Sequence, residues 1–144
     1  MDTVRHLLQE KGHQFHAIGP GAMVFEALRL MADKEIGSLL VLEQGTLVGI
    51  ITERDYARKV ILRGKSSLET PVREIMTTKV VFVRPETTIE ECMAVMTDKR
   101  VRHLPVLEGD RILGLISIGD LVKATIAHKD FVIRQLENYI TGSR

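Results

Sequence analysis

Apolar residues recur at two periods along this chain, and the switch between the periods happens twice. Val4, Leu7 and Leu8 stand at helical spacing over residues 2–11, with Asp2 or Thr3 available as N-cap and Gly12 as the stop. His16 to Ile18 predicts a first short strand. Gly19-Pro20-Gly21 breaks it and opens a helix with Val24, Ala27, Leu28 and Met31 on one face. Two apolar runs follow, Ile36 to Leu42 and Leu47 to Ile51, joined by the hairpin turn Glu43-Gln44-Gly45-Thr46. A second helix is predicted from about Arg54 to Arg63. After the polar loop Gly64-Lys65-Ser66-Ser67, a short helical turn over Val72 to Met76 leads to a strand from Val80 to Val83. The series then begins again: Ile89, Cys92, Met93 and Met96 on a helix opened by the capping pair Thr88 and Glu91, runs Val101 to Leu107 and Ile112 to Ile116, turn Glu108-Gly109-Asp110-Arg111, and a helix from about Gly119 onward. Phe131, Leu136 and Ile140 among charges give the stretch from Asp130 an amphipathic character suited to a surface helix or a subunit contact.

The recurrence is a true internal repeat. Shifted by 65 positions without gaps, Pro20 falls on Pro85, Glu26 on Glu91, Met31 on Met96, Val41-Leu42-Glu43 on Val106-Leu107-Glu108, and Gly49, Ile51 and Asp55 on Gly114, Ile116 and Asp120. A repeat of this size is one supersecondary unit that buries its apolar face against its twin. The predicted fold class is α+β (mixed α/β), built from tandem β-α-β-β-α repeats. The predicted boundaries are a leading helix over 1–12, a first repeat over 13–70 and a second over 71–144 with a C-terminal helix, the two repeats forming one integrated pair.

Composition narrows the function classes. With 20 Lys and Arg against 19 Asp and Glu, the net charge of +1 creates no global field for nucleic acid or anionic lipid, so any anion site must be local. The apolar runs are strand-sized and the N-terminus carries no signal-peptide core, which predicts a soluble cytosolic protein away from membranes. The single Cys92 excludes an intramolecular disulfide and a Cys-rich zinc site.

What repeats with the scaffold is a polar signature, Thr52-Glu53-Arg54-Asp55 and Ser117-Ile118-Gly119-Asp120. Hydroxyl and carboxylate sit three residues apart where a strand ends and a helix begins. This is the pattern of a capping box, which needs no ligand. It is also a pattern that serves a nucleotide: a carboxylate accepts hydrogen bonds from both hydroxyls of a ribose, and a helix N-terminus offers N–H donors to an anion.

These residues give the chain its resemblance to a known family. The two Gly-apolar-apolar-Thr/Ser-x-x-Asp motifs at 49–55 and 114–120, with Arg102-His103-Leu104-Pro105-Val106, resemble a pair of CBS domains, the Bateman module, over about residues 13–127. The resemblance implies two copies related by a pseudo-two-fold axis, with clefts between them that bind AMP, ATP or NAD(H) as a regulatory rather than catalytic ligand. It places ribose on Asp55 and Asp120, phosphate near Thr52 and Ser117, and adenine against the backbone of Leu104-Pro105-Val106 and the strands near Ile18 and Val81. Arg54, Arg58, Lys65, Arg102 and His103 are the phosphate candidates, with Gly119 standing where the first copy has Arg54. It further implies a homodimer that senses energy or redox state and signals to a regulated enzyme, transporter or channel. The alternative is a structural or dimerisation module with vestigial sites; catalysis with bound NAD and nucleic-acid binding are weaker readings.

The copies are unequal. Gly37-Ser38-Leu39-Leu40 stands where the second has Arg102-His103-Leu104-Pro105, which predicts different ligands or affinities. Other constellations lead nowhere. Gly64-Lys65-Ser66 lacks the first glycine of a P-loop, since Lys59 holds that place, and Val24 stands where a dinucleotide fingerprint starting at Gly19 needs its third glycine. His13 and His16 lack a third metal ligand nearby. Cys92, equivalent to Ala27, reads as a small core filler.

Overall fold

A computed structural model describes the backbone of residues 2–141 and the side chains of residues 2–138, so the predicted contribution of Ile140 lies outside the described side chains. The elements run α1 (Val4–Lys11), β1 (Ala17–Ile18), α2 (Val24–Lys34), β2 (Ser38–Glu43), β3 (Thr46–Thr52), α3 (Glu53–Tyr56), α4 (Ile89–Lys99), β4 (His103–Glu108), β5 (Arg111–Ser117) and α5 (Ile118–Thr141). The mixed α/β repeat is thus present in both copies. No helix among the described residues is long and apolar enough to cross a membrane.

The chain forms two compact units. One is Gln14–Val81; the other joins the segment up to His13 with the chain from Phe82 onward. This differs from the boundary expected at 70/71, and the leading segments explain why. Val4, Arg5 and Leu7 match Val72, Arg73 and Ile75, 68 positions on. In the second unit, the N–H groups of Val4 and Arg5 donate to the carbonyls of Thr87 (2.8 Å) and Pro85 (2.9 Å), and Ile89 N–H donates to Asp2 (3.0 Å). The first unit repeats each bond: Val72 to Ala22 (2.8 Å), Arg73 to Pro20 (3.0 Å), Val24 to Thr70 (2.8 Å). The first N–H donors of α2 and α4, which have no acceptor within their own helix, therefore find one in a segment that precedes the other repeat in sequence. Residues 70–81 thus lie in the same compact unit as the first hairpin, and α1 in that of the second.

Within Gln14–Val81, β1 runs parallel to β2, and β2 pairs with β3 in an antiparallel hairpin. Gln44 (φ 52°) and Gly45 (φ 80°) both take positive φ in its turn, as a two-residue loop that matches strand twist requires. The core holds Val24, Ala27 and Met31 of α2, Leu39, Val41 and Ile51 of the sheet, and Val60, Val72 and Ile75. The predicted helix to Arg63 is only partly regular. α3 gives way to a π-helical turn, Ala57–Ile61, in which Leu62 N–H reaches back five residues to Ala57.

The second unit repeats the hairpin with β4 and β5, and Val83 stands where β1 stands in the first, bridged in parallel to Val106. The strand predicted from Val80 to Val83 shrinks to that single bridge. In the first unit Leu40 N–H donates to His16 at 3.1 Å; the equivalent Pro105 has no N–H to donate. α1 is capped by Thr3, whose Oγ1 accepts from His6 N–H, and stops at Gly12 (φ 99°). Thr88 and Glu91 form the predicted capping box at α4. The helix at Gly119 and the amphipathic stretch at Asp130 are one continuous α5, since neither Gly nor Pro follows Gly119 within it. Leu121 is buried, whereas Val122, Ile126, Phe131, Ile133 and Leu136 are exposed.

Candidate functional site

Both signatures form the reciprocal capping box. Thr52 Oγ1 accepts from Asp55 N–H (3.1 Å) and Thr52 N–H donates to Asp55 Oδ2 (3.0 Å). Ser117 Oγ accepts from Asp120 N–H (3.2 Å) and Ser117 N–H donates to Asp120 Oδ2 (2.8 Å). Asp therefore suffices where Glu or Gln is usual, because the helix begins directly at the strand end and the short carboxylate still reaches the cap N–H. The capping role is met in both copies, so the capacity for a ligand depends on what each carboxylate has left.

Asp55 has nothing left. Its Oδ2 also accepts from Thr52 Oγ1 (3.1 Å), while Oδ1 accepts from Thr77 Oγ1 (3.2 Å) and from the Lys59 ammonium (3.0 Å). Four donors match the roughly four acceptor sites of a carboxylate, and Asp55 is 7% exposed. Lys59 is itself fixed by donating to the Ile75 carbonyl at 2.9 Å.

Asp120 is arranged differently. Lys11, the last residue of α1, donates to Asp120 Oδ2 at 2.6 Å and to the Leu115 carbonyl at 2.8 Å. Oδ1 accepts no hydrogen bond among the described residues, and the side chain is 25% exposed. Burial pushes the Asp120 carboxyl up, but the Lys11 ammonium and the Ser117 N–H outweigh it and hold the group below the ordinary carboxylate value. Asp120 is ionised at neutral pH and has one oxygen to offer.

The other expected residues fall into place unevenly. His103 lies across the hairpin from Ser117 and is half-buried. Burial lowers its pKa, with Asp120 opposing, so at neutral pH the ring is a neutral hydrogen-bonding group rather than a phosphate-binding cation. Arg102 is exposed just before it, and its carbonyl accepts from Ile118 N–H at 2.9 Å. Leu104 and Pro105 are buried in β4. Ile18 is half-buried beside Val41 on β1; Val81 lies outside any strand at the end of the first unit, and Val83 takes the place expected of it. Gly119 is exposed at the start of α5, and a methyl added there meets only Ser117 Oγ at 3.6 Å. Arg54 and Arg58 are exposed on α3 and the turn after it, and Lys65 lies in the following loop.

Three residues were not anticipated. Lys59 was legible, since it stands four residues after Asp55 on a helix, the spacing of an ion pair. Thr77 and Lys11 were not, because both arrive through the leading segments. His13, set aside as a metal ligand, bonds the Leu113 carbonyl through Nδ1 at 2.8 Å. Burial first, then Glu91, pushes the Cys92 thiol up to about 11, which suits a core filler.

A family model described as CBS domain matches residues 4–62 and 72–127. The match starts each copy at its leading segment, in accord with the 68-position correspondence of Val4 and Val72. The chain is 43% identical over 124 residues to the Arabidopsis thaliana CBS domain-containing protein CBSX3, mitochondrial, covering 83% of this chain and 60% of that protein. It thus spans less than two thirds of that relative's length. Among solved structures, a CBS-domain signal-transduction protein from Burkholderia ambifaria MC40-6 is 50% identical, with a TM-score of 0.85 over 88% of this chain and 95% of that one. A hexameric CBS-CP12 protein from bloom-forming cyanobacteria is 30% identical, with a TM-score of 0.74 over 85% and 70%.

Proposed function

The chain belongs to the CBS-domain family, with two CBS repeats in 144 residues, and from this premise we propose that it is a regulatory module that binds an adenine nucleotide at the Ser117–Asp120 corner. The observation that carries the reading is the contrast between the two carboxylates. Asp120 keeps Oδ1 unengaged at the N-terminus of a long helix, whereas Asp55 has four donors and is closed to a ligand. A ribose diol donates to Asp120, and a phosphate meets Ser117 Oγ and the first N–H groups of α5. Arg102 supplies positive charge at the rim and His103 a neutral hydrogen bond, with adenine expected beside β4 at Leu104-Pro105-Val106. The first copy is then a scaffold, and no phosphate is expected at Arg54, Arg58 or Lys65.

The module acts by population shift: AMP, ATP or NAD(H) changes the balance between two states only in so far as it binds them unequally. The exposed apolar residues of α5 suit a homo-oligomer, as the hexameric cyanobacterial relative also suggests, with a regulated enzyme or transporter as listener. Isothermal titration with AMP, ATP, NAD+ and NADH tests the reading. One ligand per chain is expected, lost in Asp120→Asn and retained in Asp55→Asn; absence of binding at millimolar ligand overturns it. The complete capping boxes favour a second reading, a structural module with vestigial sites. It predicts that Asp120→Ala lowers the melting temperature and changes no ligand affinity, because there is none.

A further inference from the structure

Each signature carboxylate meets one ammonium, yet the two lysines come from unrelated places. Lys59 reaches Asp55 from four residues along the same helical segment, and its equivalent in the second copy is Ala124. Lys11 reaches Asp120 from α1, which the other unit replaces by a 3-10 turn of only three residues, Val72–Glu74. The eight residues of α1 begin with the same hydrogen bonds as that turn but continue further, and the added length places Lys11 on the corner. The pairs also differ in kind. Lys59 completes a saturated, buried carboxylate, whereas Lys11 occupies one oxygen of a carboxylate that keeps the other free.

We propose that Lys11 sets the selectivity of the Ser117–Asp120 corner, favouring a nucleoside that carries phosphate over the bare nucleoside. The inference rests on the nucleotide reading above. A diol that uses both Asp120 oxygens must compete with the ammonium for Oδ2, which already accepts from Ser117 N–H. A neutral nucleoside gives the displaced ammonium nothing in return. A phosphate at Ser117 does, since Ser117 and Lys11 share Asp120 Oδ2 as a partner and a lysine's flexible stem lets the ammonium turn from one anion to the next. The displacement also frees the Leu115 carbonyl from Lys11 and loosens the last turn of α1, where Gly12 N–H donates to Leu8.

The test titrates AMP and adenosine into the full chain and into Lys11→Met, which keeps the stem and removes the charge. In the unsubstituted protein AMP is expected to bind at least about 10-fold tighter than adenosine. In Lys11→Met, AMP weakens by about 10-fold and adenosine tightens by about 3-fold, so the AMP-to-adenosine preference falls by about 30-fold. Lys11→Arg keeps the charge and is expected to keep most of the preference, which separates a charge effect from damage to α1. Hydrogen exchange at Lys11 and Gly12 is expected to accelerate on adding AMP. If both ligands bind and Lys11→Met alters them equally or not at all, the role of Lys11 is overturned while the nucleotide reading stands. If neither ligand binds the unsubstituted protein at millimolar concentration, the nucleotide reading falls and the selectivity role falls with it.

Discussion

Lys59→Met isolates the feature that makes the first copy unlike the second. The substitution preserves the aliphatic stem and removes the ammonium 3.0 Å from Asp55 Oδ1 and 2.9 Å from the Ile75 carbonyl. Removing one partner of a fully buried pair costs about 3–5 kcal/mol, because the remaining charge is left without compensation. Two features reduce that figure. The Lys59 side chain is 35% exposed, so water already screens part of the attraction. Asp55 also keeps three donors, Thr52 N–H, Thr52 Oγ1 and Thr77 Oγ1. The expected loss is therefore about 2 kcal/mol, a fall of about 1 M in the urea midpoint at an m-value of about 2 kcal/mol/M. Adding Asp55→Asn removes the stranded charge and is expected to recover about 1 kcal/mol, a non-additivity that a double-mutant cycle reads directly. A midpoint for Lys59→Met within about 0.2 M of the unsubstituted protein, or a strictly additive cycle, would refute the account of Asp55 as a locked structural carboxylate.

Further expectations concern packing and pH. A methyl at Gly49 would lie 2.7 Å from Met76 Sδ and 3.0 Å from the Thr77 carbonyl, whereas one at Gly114 would meet the tip of Leu8 at 2.9 Å. Backbone yields less than a side-chain tip, so Gly49→Ala is expected to cost about 2–3 kcal/mol and Gly114→Ala about 1 kcal/mol in urea unfolding; equal costs would contradict this packing. Ser38 is buried and its hydroxyl has no hydrogen-bond partner among the described residues, so Ser38→Ala is expected to raise stability by about 0.5–1 kcal/mol, and a loss of that size would contradict this. Because the Asp120 carboxyl is held low, its contribution to stability is complete above the unfolded value of about 3.9 and fades as pH falls through the lower folded value. Asp120→Asn should remove that part of the acid limb in urea midpoints followed from pH 6 to 3. Burial likewise lowers the His103 pKa, so stability should fall as pH drops below about 6.5, and His103→Gln should flatten the curve between pH 6.5 and 5.

The helices and hairpins were legible because local chemistry decides them. The stripe of Val24, Ala27 and Met31 and its copy in Ile89, Cys92 and Met96 are buried as the 3.6-residue period requires, and Gln44-Gly45 supplies the turn its strands need. The positions of the two signatures, and the capping within them, followed from the same local logic. The strand at Val80 was misjudged because apolar sequence favours a ladder, while one missing N–H on Pro105 forbids part of it. The compact units differ from the repeats read in sequence because a repeat seen at one offset hides leading segments that correspond at another.

Sequence by itself determined that there are two copies of one scaffold, where each hydroxyl–carboxylate corner sits, and that the copies differ at Ser38 and His103. Tertiary structure alone decided which corner remains open. A carboxylate's capacity for a ligand is set by how many donors already reach it, and those donors are brought by chain segments remote in sequence. Thr77 comes to Asp55 across 22 positions and Lys11 to Asp120 across 109, and neither separation leaves a periodic trace.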